Sequence, residues 1–106
     1  QDGTSTGALD ILVSQDRFVI TANDIGNLNT VTISTNYASD VFWYVENADS
    51  WIAVTPTSGS TVAGDNTLTI NVQTTNTTGS DRTATIYVRE VHDIAFATIE
   101  VVQKAN

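Results

Sequence analysis

The sequence predicts an all-β domain of seven or eight short antiparallel strands, closed as a sandwich or small barrel, on three observations. Apolar residues recur at every second position in almost every segment, and nowhere at helical spacing. Threonine fills many alternate positions, as a β-branched residue does on the wet side of a half-buried sheet. Between the runs lie "ANDIGNLN", "NYASD", "PTSGSTVAGD" and "TTNTTGSD", mixtures that favour turns.

Each element follows from parity. "ALDILV" alternates Leu9, Ile11 and Val13 against Asp10 and Leu12, and "RFVIT" offers Phe18 and Ile20. "TVTIST" sets Val31 and Ile33 against threonines, "VFWYV" is apolar throughout, and "WIAVT" is less so. "TLTINVQ" puts Leu68, Ile70 and Val72 on one face, "TATIYVR" does so with Ala84, Ile86 and Val88, and "ATIEVV" with Ala97, Ile99 and Val101. No long crossover segment separates the runs, which argues against parallel units and for an immunoglobulin-like antiparallel β-sandwich.

The totals set limits on partners. A chain of 106 residues is the size of one domain and can bury a core of its own. It has no cysteine, so disulfides and thiolate metal sites are excluded. Twelve acidic against four basic residues give a net charge of −8, a field that opposes nucleic acid and anionic lipid. No apolar stretch approaches the ~18 residues of a membrane span. The opening "QDGTSTG" is small and polar, and with no methionine for initiation, residues 1–8 read as a linker or leader remnant before a domain over 9–106.

Two tryptophans decide how the domain is used. In "VFWYV", Val41, Trp43 and Val45 share a face opposite Phe42 and Tyr44. The β-branched pair belongs with the core and takes Trp43 inside, where Ile33 and Ile86 are expected to touch it in place of a disulfide. Trp51 precedes a Pro/Gly turn and could be a sugar platform or a core plug. A buried indole removes ~150–250 Å² from water, a gross gain of ~4–6 kcal/mol. A small domain has little driving force to spare, so both indoles are assigned to the core.

Parity then leaves Phe42, Tyr44, Tyr87, Arg89 and Phe96 outside, on three strands that this topology makes neighbours. They form the candidate ligand-binding face, for a protein domain or a glycan, unless the 89–96 connection folds over them. Catalysis has no motif behind it. Glu46, Asp49, Glu90, Asp93 and Glu100 are unpaired by spacing, and His92 is alone, a solvated loop residue. A calcium site at Asp24 or Asp65 would lack the D-x-D-x-D-G loop. We expect no enzyme activity, no metal and no cofactor. Arg82 is expected to clamp its loop through Asp81 or a turn carbonyl, Gln103 to satisfy backbone groups at a sheet edge, and Asn76 of the "NTT" sequon to build a turn.

"FWYVENADSWIAVTPTSGS", "NTLTINVQTTNTTGSDRTATIYV" and "ATIEVVQ" together resemble the BACON domain family, Bacteroidetes-associated carbohydrate-binding, often N-terminal. The matching positions are Trp43, Trp51, Ile52, Val54, Pro56, Ser58, Gly59, Asn76, Gly79, Arg82, Ala84, Ile86 and Gln103. The resemblance implies an immunoglobulin-like module of secreted, periplasmic or cell-surface bacterial proteins that handle glycans. Its expected job is that of a monomeric, non-catalytic spacer and docking domain whose partners are neighbouring domains of a larger protein. Carbohydrate binding through the outer aromatic face is the alternative. The "EVHDIAF" connection departs from the short Gly/Ser turn expected there.

Overall fold

The computed structural model describes residues 9–26, 28–47 and 49–106. Nine strands run through them: β1 (Ile11–Val13), β2 (Arg17–Ile20), β3 (Leu28–Thr35), β4 (Phe42–Asn47), β5 (Ile52–Thr55), β6 (Ser58–Ser60), β7 (Thr67–Val72), β8 (Arg82–Glu90) and β9 (Phe96–Gln103). They make a four-stranded sheet in the order β1-β3-β7-β5 and a five-stranded sheet in the order β2-β9-β8-β4-β6. The expected leader, residues 1–8, lies outside the described residues.

Eight strands fall on the eight alternating runs, and the ninth is a surprise. β6 forms inside "PTSGS", which reads as pure turn, by pairing Ser58, Gly59 and Ser60 with Tyr44, Trp43 and Phe42 of β4. Gly59 permits this approach. A Cβ at residue 59 would stand 2.6 Å from the Trp43 indole and 2.7 Å from the Asp65 carbonyl oxygen. Gly59→Ala is therefore expected to cost about 1–3 kcal/mol through overpacking. A urea midpoint equal to the parent's would contradict that.

One pairing is parallel, against the all-antiparallel expectation: β2 runs alongside β9 through Arg17↔Glu100 to Ile20↔Gln103. The chain leaves β1 in one sheet and continues in the same direction as β2 in the other. A parallel edge thus arises without a crossover helix.

The inward parity of every long strand meets in one core. Val31, Ile33, Trp43, Leu68, Ile70, Ile86, Val88 and Ile99 are wholly excluded from solvent. Trp43, Ile33 and Ile86 belong to the same cluster, as does Trp51. Trp51 reaches it against the alternation: Ile52 and Val54 of β5 point inward, while Ala53 does not. The turn ending at Trp51 rotates its indole back under the sheets, where it is 9% exposed. The Arg82 guanidinium closes over it, 4.4 Å from the ring centroid.

A polar clasp completes that end of the sandwich. Arg82 donates from Nη2 to the Thr74 carbonyl at 3.1 Å and hydroxyl at 2.9 Å, and from Nε to Gln103 Oε1 at 2.8 Å. The turn carbonyl is as expected but Asp81 is not its partner; Asp81 instead accepts from Lys104 Nζ and the Ala105 amide. Gln103 also departs from expectation. β9 is flanked by β2 and β8, so Gln103 is no edge residue. It is fully buried and donates Nε2 to the carbonyls of Ala22 and Thr74. Asn76, equally buried, donates Nδ2 to the carbonyls of Ser80, Gln103 and Lys104 and accepts the Thr78 amide and hydroxyl.

The two ends of the domain are far apart. Ile11 pairs with Thr35, so Leu9 lies where β3 ends. From there residues 36–41 lead into β4, and the Val91 amide donates to the Phe42 carbonyl at 3.0 Å, which puts the β8–β9 hairpin at this same end. Gln103 pairs with Arg82 at the other end. The nine residues of β8 separate them by about 30 Å.

Candidate functional site

The outer side of the five-stranded sheet collects the aromatic residues left over by core parity. On β8, Ala84, Ile86, Val88 and Glu90 face inward, which turns Thr85, Tyr87 and Arg89 outward. Arg89 lies between Tyr44 of β4 and Phe96 of β9 in one cross-strand row, and Glu46, Tyr87 and Thr98 make the next. Phe42 opens β4 at the hairpin end. The five candidate residues therefore lie on three adjacent strands with β8 in the centre.

Their contacts define what the surface can do. The Tyr87 and Phe96 rings meet with centroids 6.1 Å apart at a tilt of 49°. The Arg89 guanidinium lies 4.9 Å from the Tyr87 centroid and 5.4 Å from that of Phe96. Its Nε donates to Glu46, a pairing that holds the guanidinium above the ordinary arginine range. Arginine thus covers part of the ring surface that would otherwise stack on a sugar. Phe42 and Phe96 stay open, 60% and 57% exposed. Further along the sheet, away from the β8–β9 hairpin, Glu46, Thr85, Tyr87 and Arg89 line a shallow depression of about 200 Å³.

The 91–95 connection folds against one side of this face without covering it. The Tyr44 hydroxyl donates to Asp93, which raises the tyrosine pKa, and Asp93 takes a left-handed φ of 62° at the loop apex. An aspartate tolerates that backbone better than most residues. Glu90 anchors the loop from within. It is 5% exposed and accepts the His92 amide at 2.7 Å and ring Nδ1 at 2.8 Å. The His92 side chain is 80% exposed, the solvated loop residue expected, but it has a structural partner in Glu90.

Burial pushes the Glu90 carboxyl upward, yet the His92 ring and the amides of His92 and Ile94 outweigh it and leave the pKa below the usual value. Stability from ionised Glu90 is then present above the unfolded carboxylate pKa, and it is lost as pH falls through the depressed folded value. A series of melting temperatures into the acid range is expected to show this loss for the parent chain and a flatter acid limb for Glu90→Gln.

Among the described residues, no three His, Asp or Glu side chains gather in metal-binding geometry. The Asp65 carboxylate accepts the Ser60 hydroxyl at 2.9 Å. Sequence reasoning named Glu46 and Asp93 only as scattered carboxylates and missed that both flank the aromatic face. Glu46 was within reach: it lies two residues from Tyr44 and shares its parity. Asp93 depended on the loop conformation.

Comparison with known proteins follows the architecture. In fold the chain is similar to the E. coli chaperone DraB, at a TM-score of 0.65 and 12% identity over 90% of this chain and 54% of that one. The Pseudomonas aeruginosa chaperone CupB2 is similar at 0.64 and 14%, over 89% and 55%. WR4, a C. elegans MSP family member, is similar at 0.60 and 20%, over 91% and 97%. The chain spans about half the length of the two chaperones, and at these identities the likeness concerns the fold alone. No curated protein matches it in sequence. The family model described as "Viral BACON domain" matches residues 10–106, and the chain belongs to that family.

Proposed function

We propose that the chain is a non-catalytic accessory module of a larger secreted or surface-held protein, acting as an in-line spacer that docks a partner on its outer aromatic face. The observation that carries this reading is the placement of Leu9 and Gln103 at opposite ends of a stiff sandwich, with the exposed rings near the entry end. A chain passing through such a module is carried forward rather than folded back. The face has the composition of a contact surface: aromatic side chains and an arginine, prepositioned by stacking and an ion pair.

Glycan binding is the second reading, favoured by the depression, which joins a carboxylate, a guanidinium and a threonine hydroxyl to a tyrosine ring. Affinity gels separate the two. Retardation by a polysaccharide, abolished in Tyr87→Ala, would make the face a carbohydrate site. Cross-linking of Phe42 or Phe96 positions to a flanking domain in the parent protein, with no retardation in any gel, is the outcome that docking requires. Free tumbling of the module relative to its neighbours would overturn docking.

A further inference from the structure

We propose that Glu46 is the specificity-determining residue of the outer face: by occupying Arg89 it restricts the depression to an uncharged polyhydroxylated ligand, one ring of a neutral glycan, and rejects carboxylated or sulfated ones. This rests on the glycan reading of the face. Four observations converge on it. Arg89 is the basic residue of the depression and is already paired with Glu46. Asp93, held by the Tyr44 hydroxyl, places a second carboxylate nearby and acts on the same guanidinium. The other three basic side chains are committed too: Arg17 to Glu100 at 3.0 Å, Lys104 to Asp81 at 3.0 Å, and Arg82 to the clasp over Trp51. The whole chain carries −8.

An approaching carboxylate or sulfate can reach the remaining Arg89 N–H donors only by sitting beside the Glu46 carboxylate, with Asp93 close by. Like charges placed together in an interface are costly, and the net field slows the approach. A hydroxyl meets no such barrier. Glu46 accepts from it with a free lone pair, Arg89 has N–H donors beyond the Nε it gives to Glu46, and Thr85 can do either. The size fits one ring: about 200 Å³ is below the ~300–1,000 Å³ of pockets that enclose a drug-sized ligand.

The test uses affinity gels of starch, mannan and cellulose against polygalacturonate, alginate and heparin, with the parent chain, Glu46→Gln and Asp93→Asn. Retention of the parent by a neutral polymer only, with at least about a tenfold gain for an acidic polymer in Glu46→Gln and a smaller one in Asp93→Asn, supports the proposal. A parent chain that binds acidic polymers as tightly as neutral ones overturns it and leaves the glycan reading standing. So does neutral binding with no acidic gain in Glu46→Gln, whatever Asp93→Asn shows. Parent protein that no polymer retains brings down both.

Discussion

Trp51→Ala is expected to lower the free energy of unfolding by about 3–5 kcal/mol, the cost of deleting a large aromatic from a core. The indole is only 9% exposed and belongs to the main apolar cluster, so its removal leaves a hole between sheets that strands β5 and β7 cannot close without moving. It also takes away the surface on which Arg82 rests at 4.4 Å. That stacking adds to the burial, and cation–π pairs of this kind contribute about 0.5–2 kcal/mol. Trp51→Phe should recover much of the loss, because a smaller ring still fills most of the space. Chemical denaturation is the measurement. If Trp51 were a platform for sugar, alanine would leave the denaturation midpoint where it was and remove binding alone.

The same residue shows where the sequence could be read and where it could not. Alternation is a two-residue code, and it located eight strands because each long run buries one face and wets the other. It assigned Trp43 and the outward set of Phe42, Tyr44, Tyr87, Arg89 and Phe96 by parity alone. Trp51 escaped that code, since turn geometry and not strand parity aims it inward, and only the energetic cost of a wet indole placed it correctly. β6 was invisible because Ser-Gly-Ser carries no apolar period; its pairing comes from a glycine that fits against Trp43. The clasp was missed in part for another reason. Arg82, Asn76 and Gln103 are polar, so pattern reading sends them to the surface, whereas tertiary structure buries Asn76 and Gln103 and satisfies them. Glu46 shares the outward parity of Tyr44 and was legible in the alternation, whereas Asp93 joined the face through a loop conformation that has no periodic signature.

Asn76→Ala is expected to be the most damaging polar substitution, costing about 2–4 kcal/mol. Its amide group serves three carbonyls, those of Ser80, Gln103 and Lys104, and its carbonyl oxygen receives both the amide and the hydroxyl of Thr78. Alanine would leave several of these buried or half-buried groups without a partner, and each such group costs about 1–3 kcal/mol, offset where water can enter from the end of the sandwich. Asn76→Asp should be nearly as harmful. It keeps the Thr78 acceptor but replaces a donor aimed at three carbonyl oxygens with a buried negative charge. Calorimetry on the two variants checks this, and a melting temperature unchanged in both would mean that the 74–80 loop closes without its central amide. The same geometry bears on the "NTT" sequon. The Nδ2 atom that would carry a glycan is fully buried and already donating, so the folded domain is expected to remain unmodified there in a glycosylating host. Mass spectrometry showing an occupied Asn76 on natively folded protein would require the clasp to be open, and with it the end of the β8–β9 pair where Arg82 faces Gln103.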